Sequence, residues 1–151
     1  MPTDETSERV ERASRLVPAS AQAIFDLLAD PSQHAVIDGS GTVQQTSSAT
    51  PQRLSLGAKF GMKMRRGLPY RVTNEVVEFD EPTLIAWRHM GGHVWRYRLA
   101  ETDDGTEVTE EFDWGPSRAP WLLQLMRVPE QNARSLDATL DRLVAHFEDG
   151  D

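Results

Sequence analysis

The sequence contains no cysteine in its 151 residues, and this absence excludes several kinds of site. Without thiols the chain has no disulfide, no thiolate zinc centre and no cysteine nucleophile. It also lacks an apolar run near the ~18 residues that a membrane-spanning helix needs, so we predict no stable membrane insertion. The first residues, MPTDETSERVERAS, are acidic and polar, unlike a signal peptide. A cytoplasmic location is therefore the simplest expectation.

Positive charge is also scarce, because 16 lysine and arginine residues stand against 24 aspartate and glutamate residues. The formal net charge of -8 argues against nucleic acid as a partner, since phosphate binding needs a basic surface. The densest basic cluster is Lys63, Arg65 and Arg66, with Arg71 nearby. We interpret this cluster as the solvated face of a hairpin, which is the usual place for surface charge.

Signatures of metal and cofactor chemistry are missing as well. The four histidines do not have the spacing of metal ligands, since His89 and His93 flank a hairpin turn instead of sharing a helix face. No serine lies in a GxSxG elbow, and there is no dinucleotide-binding fingerprint. The IDGSGT segment has no Lys-Ser/Thr after it, so we interpret it as a turn and not as a phosphate loop. The sequence therefore predicts no metal and no cofactor.

What the sequence does contain is a series of β-strands. Apolar and polar residues partly alternate from Arg9 to Val17, a weak strand pattern follows near residues 42–46, and a firmer one covers residues 56–65. Between Tyr70 and Trp114 three hairpin stretches come in succession, VTNEVVEFDEP, TLIAWRHMGGHVWRYRLAE and GTEVTEEFDW. Within and between them, MGGH and DDG are strong turn signals.

Two short helices and one long helix complete the predicted elements. The segment AQAIFDLLAD follows Ser20, a favourable N-cap, and a second short helix begins at Pro31 with Asp30 as its cap. Near the carboxyl end, Pro129 interrupts the helical pattern that begins with APWLLQLMRV. The element order is typical of an α+β fold with an antiparallel sheet. We expect residues 1–8 to be a disordered tail and residues 9–149 to form one domain. Beyond Pro129 a long amphipathic helix carries one apolar stripe, made of Leu136, Leu140, Leu143, Val144 and Phe147.

Three stretches together resemble the START-like or SRPBCC superfamily, which has the helix-grip fold. They are VPASAQAIFDLLADPSQHAVIDGSGTV, PYRVTNEVVEFDEPTLIAWRHMGGHVWRYRLAE, and GTEVTEEFDW with the long helix after it. The similarity is greatest to small bacterial members of polyketide cyclase/dehydrase type. It implies a curved antiparallel sheet of six to seven strands wrapped around the carboxy-terminal helix, with a cavity between them. The superfamily includes lipid carriers, hormone receptors, cyclases and co-chaperones, so this fold does not fix a function.

Strand alternation predicts which side chains face the interior of the sheet. Arg96 and Arg98 cannot both point into a closed apolar interior without partners, so their neighbours on the strand should point inward. The same reasoning places the apolar sets of the flanking strands inside, and it brings one carboxylate, Glu110, with them. The residues predicted to face inward are Trp95, Tyr97 and Leu99, then Val108, Glu110, Phe112 and Trp114, and finally Ile85, Trp87 and His89.

The sharpest candidate site is the set Glu110, His89 and Tyr97 among these aromatic side chains. An acid, an imidazole and a phenol in an apolar pocket can act as general base, general acid and oxyanion donor, so these three are the catalytic candidates. A passive polar anchor or a structural hydrogen bond explains the same pattern, and we favour that interpretation. The predicted ligand contacts are Met62, Met64, Trp87, His89, Trp95, Tyr97, Glu110, Phe112, Trp114, Trp121, Leu125, Met126 and Leu136.

Three functions are compatible with these features. We favour a carrier or sensor that binds a small hydrophobic, aromatic or lipid-like molecule between sheet and helix. The alternative is a cyclase, dehydratase or hydrolase that uses Glu110 with His89 or Tyr97. A third hypothesis is a protein-interaction module that uses the outer face of the sheet, through Lys63, Arg65, Arg96 and Arg98. The sequence indicates no oligomeric state.

Overall fold

The computed structural model describes residues 9–34, 43–46, 53–66 and 68–149, which form an antiparallel sheet and its helices. The predicted tail at residues 1–8 and the IDGSGT turn lie outside the described residues. In the sheet the strands follow the order β1-β7-β6-β5-β4-β3-β2, so the first and last strands of the chain are neighbours. The strands are β1 (Val10–Val17), β2 (Val43–Thr46), β3 (Lys59–Arg66), β4 (Leu68–Asp80), β5 (Leu84–His89), β6 (Val94–Thr102) and β7 (Gly105–Asp113).

The helices lie close to where the sequence predicts them. The first, α1 (Ala21–Leu28), is capped by Ser20, whose hydroxyl oxygen accepts a hydrogen bond from the Ala23 amide at 3.1 Å. The predicted second helix begins as a 3-10 helix, Pro31–Gln33, and its continuation lies outside the described residues. Two further helices follow the sheet, α2 (Pro120–Leu125) and α3 (Val128–Asp149).

The break between α2 and α3 lies at Arg127, two residues before the proline that predicts it. Arg127 has a φ of 57°, a left-handed conformation that ends the preceding helix. Pro129 then lies in the first turn of α3. A backbone amide there has no acceptor within the helix, so a proline costs no hydrogen bond. The predicted interruption is therefore confirmed, and the proline starts the second helix.

The apolar stripe of α3 packs against the inner face of the curved sheet. Leu136, Leu140 and Leu143 are at most 1% exposed. The helix lies mainly over β1 and β7, the pair that joins the two ends of the chain. A curved antiparallel sheet closed by one long terminal helix is the helix-grip arrangement, and the α+β fold predicted from the sequence is confirmed.

The two arginines of β6 on the outer face of the sheet are neutralised by the chain's own carboxylates. Arg96 donates to both oxygens of Glu78 at 2.7 and 2.8 Å and to Glu111 at 3.0 Å. Arg98 also reaches Glu111, at 3.4 Å. Both arginines point away from the core, as the strand alternation predicts. They carry internal counter-charges, however, so nothing here favours the outer-face interaction module; the side chains of Lys63 and Arg65 lie outside the description.

The turn between β6 and β7 depends on a glycine. Gly105 has a φ of 145°, and a Cβ there would collide with the carbonyl oxygen of Val17. Gly57 provides a matched control, because its φ of 83° is also left-handed while its surroundings are open. Gly105→Ala is expected to lower the free energy of unfolding by about 2 kcal/mol, and Gly57→Ala by about 1 kcal/mol. Urea denaturation of both variants measures the difference, and equal losses would contradict it.

Candidate ligand-binding site

The centre of the inner face is a buried phenol–carboxylate pair. Tyr97 on β6 and Glu110 on β7 are direct cross-strand neighbours. The Tyr97 hydroxyl donates a hydrogen bond to Glu110 Oε2 at 2.8 Å. Glu110 is only 3% exposed and Tyr97 5% exposed, so both side chains point inward as predicted. A carboxylate at such a depth is costly to desolvate and is retained only where polar partners compensate.

This pair lies at a seam between two apolar clusters of the described core. On β7, Glu110 stands between Val108, which belongs to the larger cluster, and Phe112, which belongs to the smaller one. Trp95 and Ala13 are partly buried and pack against both clusters. The polar pair therefore interrupts the apolar packing along the inner face of β6 and β7.

Aromatic rings surround the seam. Trp87 packs against Tyr97 with ring centroids 5.7 Å apart, and Trp95 packs against Phe112 at 4.7 Å. Trp114 completes the smaller cluster, and its indole Nε1 is buried without a hydrogen-bond partner among the described residues. A buried donor of this kind costs about 1–3 kcal/mol unless something accepts from it.

His34 belongs to the same aromatic wall, and sequence reasoning missed it. Its imidazole stacks on Trp87 at 4.8 Å with an interplanar angle of 21°, and it meets Phe60 edge-on at 5.6 Å. The ring Nε2 is 2.9 Å from the carbonyl oxygen of Leu28. The sequence gives one signal for this contact: His34 lies just after the start of the predicted second helix. That helix turns the segment back over the sheet.

His89 is not joined to the Tyr97–Glu110 pair. Within the described residues it makes no hydrogen bond to either member, and its Nδ1 accepts from the Gly91 amide at 3.0 Å. The ring stacks on His93, with centroids 4.4 Å apart and an interplanar angle of 13°. The structure thus separates the three catalytic candidates into a phenol–carboxylate pair and a histidine pair.

Burial holds both members of the histidine pair in the neutral form. Desolvation lowers the pKa of His89 below its usual 6.5. For His93, burial together with the nearby His89 lowers the pKa to about 3. His93 also meets the ring of Phe112, at 5.2 Å, so this pair is in direct contact with the smaller apolar cluster.

The lowered pKa of His93 predicts a pH dependence of stability. A base whose folded pKa is depressed stabilises the fold above its unfolded pKa of 6.5, and this stabilisation is lost as the pH falls toward the folded value. The free energy of unfolding should fall by up to about 1.4 kcal/mol per pH unit below 6.5 for each such group. His93→Gln should flatten this slope, whereas the same change at the exposed His146 should not. Histidine NMR titration checks the assignment, and a His93 midpoint near 6.5 would contradict it.

The remaining predicted ligand contacts occupy different environments. Leu136 is 1% exposed in the smaller cluster, whereas Trp121, Leu125 and Met126 are 68%, 74% and 60% exposed on and just after α2. Met62 and Met64 lie on β3, opposite Val72 and Tyr70, but their side chains lie outside the description. The role of all these residues in binding stays a prediction.

A pocket of about 470 Å³ opens beside the turn between β5 and β6, and the sequence does not predict it. The loop after β7 creates it by packing on that turn, where the Arg118 amide donates to the Gly91 carbonyl oxygen at 3.1 Å. Gly92, with a φ of 103°, leaves no space for a Cβ beside Pro116. The wall includes Lys59, Glu75, Arg88, Met90, Pro116 and Arg118.

The described part of the chain contains neither a metal-binding cluster nor a membrane-spanning helix. Within residues 9–34, 43–46, 53–66 and 68–149, no three histidine, aspartate or glutamate side chains cluster as metal ligands would. No helix that the structure describes is long and apolar enough to cross a membrane.

The chain matches a known family. The model of the polyketide cyclase/dehydrase and lipid transport family matches residues 9–148, and the chain belongs to this family. An uncharacterised Mycobacterium tuberculosis protein, Rv0088, is 35% identical over 147 residues, which are 92% of this chain and 65% of that protein. The chain thus spans just under two thirds of the length of the curated relatives it matches.

Solved structures show the same fold at low sequence identity. Protein Ms6760 from Mycobacterium smegmatis has a TM-score of 0.71 and 17% identity, with 97% of this chain and 95% of that chain covered. Protein NE0264 from Nitrosomonas europaea has a TM-score of 0.73 and 13% identity, with coverage of 95% and 97%. The AHSA1-like protein from Aeromonas hydrophila has a TM-score of 0.65 and 18% identity, with coverage of 93% of each.

Proposed function

We propose that residues 9–149 form one domain that carries or senses a small hydrophobic molecule, bound between the sheet and α3. The single observation that carries the proposal is the buried Tyr97–Glu110 pair at the seam of the apolar core. An apolar side chain at position 110 would pack continuously with Val108 and Phe112, so a carboxylate there serves something other than packing. The family, whose description includes lipid transport, supports a ligand-binding role.

The surroundings of the pair support a particular chemistry for the ligand. Flat aromatic surfaces at Trp87, Trp95 and Phe112 suit a planar or extended apolar skeleton. A carboxylate has about four lone-pair sites, so Glu110 can accept a hydroxyl of the ligand in addition to that of Tyr97. The Trp114 indole offers a donor for a carbonyl or ether oxygen. The favoured ligand is therefore apolar, with at least one hydroxyl group and one acceptor oxygen.

Native mass spectrometry and thermal-shift measurements test this proposal. The probes are fatty acids, isoprenoids, flavonoids and aromatic polyketides, each added to the intact chain. At least one class should raise the Tm, and Glu110→Gln should weaken its binding by about tenfold or more, because the amide replaces one acceptor oxygen with a donor and is the weaker acceptor. The control is Thr109→Val, next along β7, where the hydroxyl is paired with Ser14 on the exposed side. Failure of all four classes, or unchanged affinity in Glu110→Gln, would overturn the proposal.

A second candidate is an enzyme of cyclase or dehydratase type. The observation that favours it is the same 2.8 Å contact, since a carboxylate beside a phenol can remove a proton while the hydroxyl stabilises the charge that develops on oxygen. Loss of water from aromatic polyketide probes, followed by mass spectrometry, is the assay. Glu110→Gln should abolish turnover, whereas His89→Ala should leave most of it, because His89 lies with His93. Turnover that survives Glu110→Gln would dispose of this candidate.

A further inference from the structure

Most of the exposed large apolar side chains lie at one end of the molecule. This end is formed by the start of β4, the turn after β5, the loop after β7, and α2. Trp121 has the largest side chain among them and is 68% exposed, whereas Trp87 and Trp114 are buried. Leu16, by contrast, is 50% exposed near the far end of β1. The exposed apolar residues at this end, which we call the apolar end, are Leu68, Met90, Trp121, Leu122, Leu125 and Met126.

The apolar end is basic although the chain as a whole is acidic. Arg88 and Arg118 are exposed and form no ion pair with a described carboxylate, whereas Arg96 and Arg15 on other surfaces each form at least two. With Lys59 they line the 470 Å³ pocket, whose wall has one carboxylate, Glu75. Near Arg88 and Arg118 the other described carboxylate is Asp113 at the end of β7, and it lies 3.5 Å from Arg96.

We propose that the apolar end docks on an anionic lipid surface, with Trp121, Leu122 and Leu125 entering the interface and Arg88 and Arg118 binding lipid phosphates. Apolar and aromatic side chains flanked by arginine suit the boundary between headgroups and acyl chains. The local charge favours this occupant over a second copy of the chain, because a two-fold contact would bring Arg88 and Arg118 against the same arginines of the other copy. The contact is peripheral, since α2 has only six residues.

Docking at this end has a consequence for the proposed ligand site. The strands β6 and β7 carry Trp95, Phe112 and Trp114 toward the same end, and α2 connects them to α3. A molecule that leaves the membrane at α2 would therefore enter beside the smaller apolar cluster. The docking itself does not depend on the ligand site, and it is measured without any candidate ligand.

Vesicle co-sedimentation tests the docking surface. The probes are vesicles of phosphatidylcholine alone and of phosphatidylcholine mixed with phosphatidylglycerol. The chain should bind the mixed vesicles, release them as salt is raised, and show a blue shift of the emission of Trp121. Arg118→Glu should weaken binding by about tenfold or more, since each basic group near such a surface contributes about fivefold and the reversal changes two charges. Leu125→Ser should weaken it several-fold.

The matched control is Leu16→Ser, which makes the same substitution at another exposed leucine, far from the apolar end. Its vesicle binding should equal that of the unaltered chain, and all variants should keep the same Tm. Equal binding to neutral and anionic vesicles, or an equal loss in Leu16→Ser and Leu125→Ser, would overturn the proposal. So would a dimer in light scattering that Leu125→Ser dissociates, with no vesicle binding, because a second copy would then cover this surface.

Discussion

Phe112→Ala is expected to lower the free energy of unfolding by about 4 kcal/mol, the largest effect of any change considered. Phe112 is 0% exposed and is one of only three buried residues in the smaller apolar cluster. It contacts Trp95 at 4.7 Å and His93 at 5.2 Å, so its loss leaves a cavity that few neighbours can fill. Urea denaturation monitored by tryptophan fluorescence measures the change.

Two further measurements make this prediction specific. Phe147, near the other end of α3, is only partly buried, so Phe147→Ala should cost clearly less. Because burial lowers the pKa of His93, the cavity in Phe112→Ala should admit water and move this pKa back toward 6.5. A loss below that of Phe147→Ala, or an unchanged His93 titration, would show that the smaller cluster is not packed as described.

Arg96→Ala is expected to lower the free energy of unfolding by about 3 kcal/mol at neutral pH. The Arg96 side chain is 11% exposed and that of Glu111 is 7% exposed, so the change leaves a nearly buried carboxylate with weaker partners. This loss of stability is at the lower end of the range for buried ion pairs for two reasons. The Glu78 side chain is 35% exposed, and Glu111 keeps its ion pairs with Arg12 and Arg98. Arg15→Ala is the control, since its two ion pairs are exposed and contribute about 1 kcal/mol or less.

The effect of Arg96→Ala should also depend on pH. Hydrogen bonding to Arg96 lowers the pKa of Glu78 below its ordinary 4.5. For Glu111, burial favours the neutral form, but hydrogen bonding to Arg96 and the charges of the neighbouring arginines outweigh burial and lower the pKa. Each carboxyl group whose pKa is lowered by folding makes its full contribution to the free energy of unfolding above pH 4.5. This contribution is lost as the pH falls through the pKa of the group in the folded state. The difference between the unaltered chain and Arg96→Ala should therefore shrink below pH 4.5, and a constant difference would contradict this origin.

The sequence predicts the sheet well because alternation along a strand is a local property. The two arginines of β6 are enough to assign the faces of β6, and the neighbouring strands follow from their apolar sets. The position of Tyr97 beside Glu110 then depends only on register, which the DDG turn fixes because it closes the Thr102–Gly105 pair five pairs further along. The phenol–carboxylate pair was accordingly within reach of sequence reasoning.

The contacts between distant loops could not be predicted from the sequence. The stacking of His34 on Trp87 joins the segment after α1 to the middle of the sheet, and no periodic pattern encodes that approach. The same is true of the pocket, which exists because the loop around Pro116 packs on Gly92. The alternation predicts His89 beside Glu110 because both face inward, yet the turn after β5 directs His89 to His93 instead. Facing direction is encoded locally, whereas distance within one face depends on turns and tertiary packing.

The pairing of β1 with β7 has a consequence for how the chain is made. Paired residues on these strands, from Val17↔Thr106 to Val10↔Asp113, lie 89 to 103 residues apart in the chain, so β1 leaves the ribosome long before its neighbour exists. Until then its edge is unpaired and the apolar surface that α3 will cover is open to solvent. High contact order of this kind slows folding, and the domain can close only after β7 has been made. Nascent chains stalled before residue 105 should therefore stay sensitive to protease and dependent on chaperones.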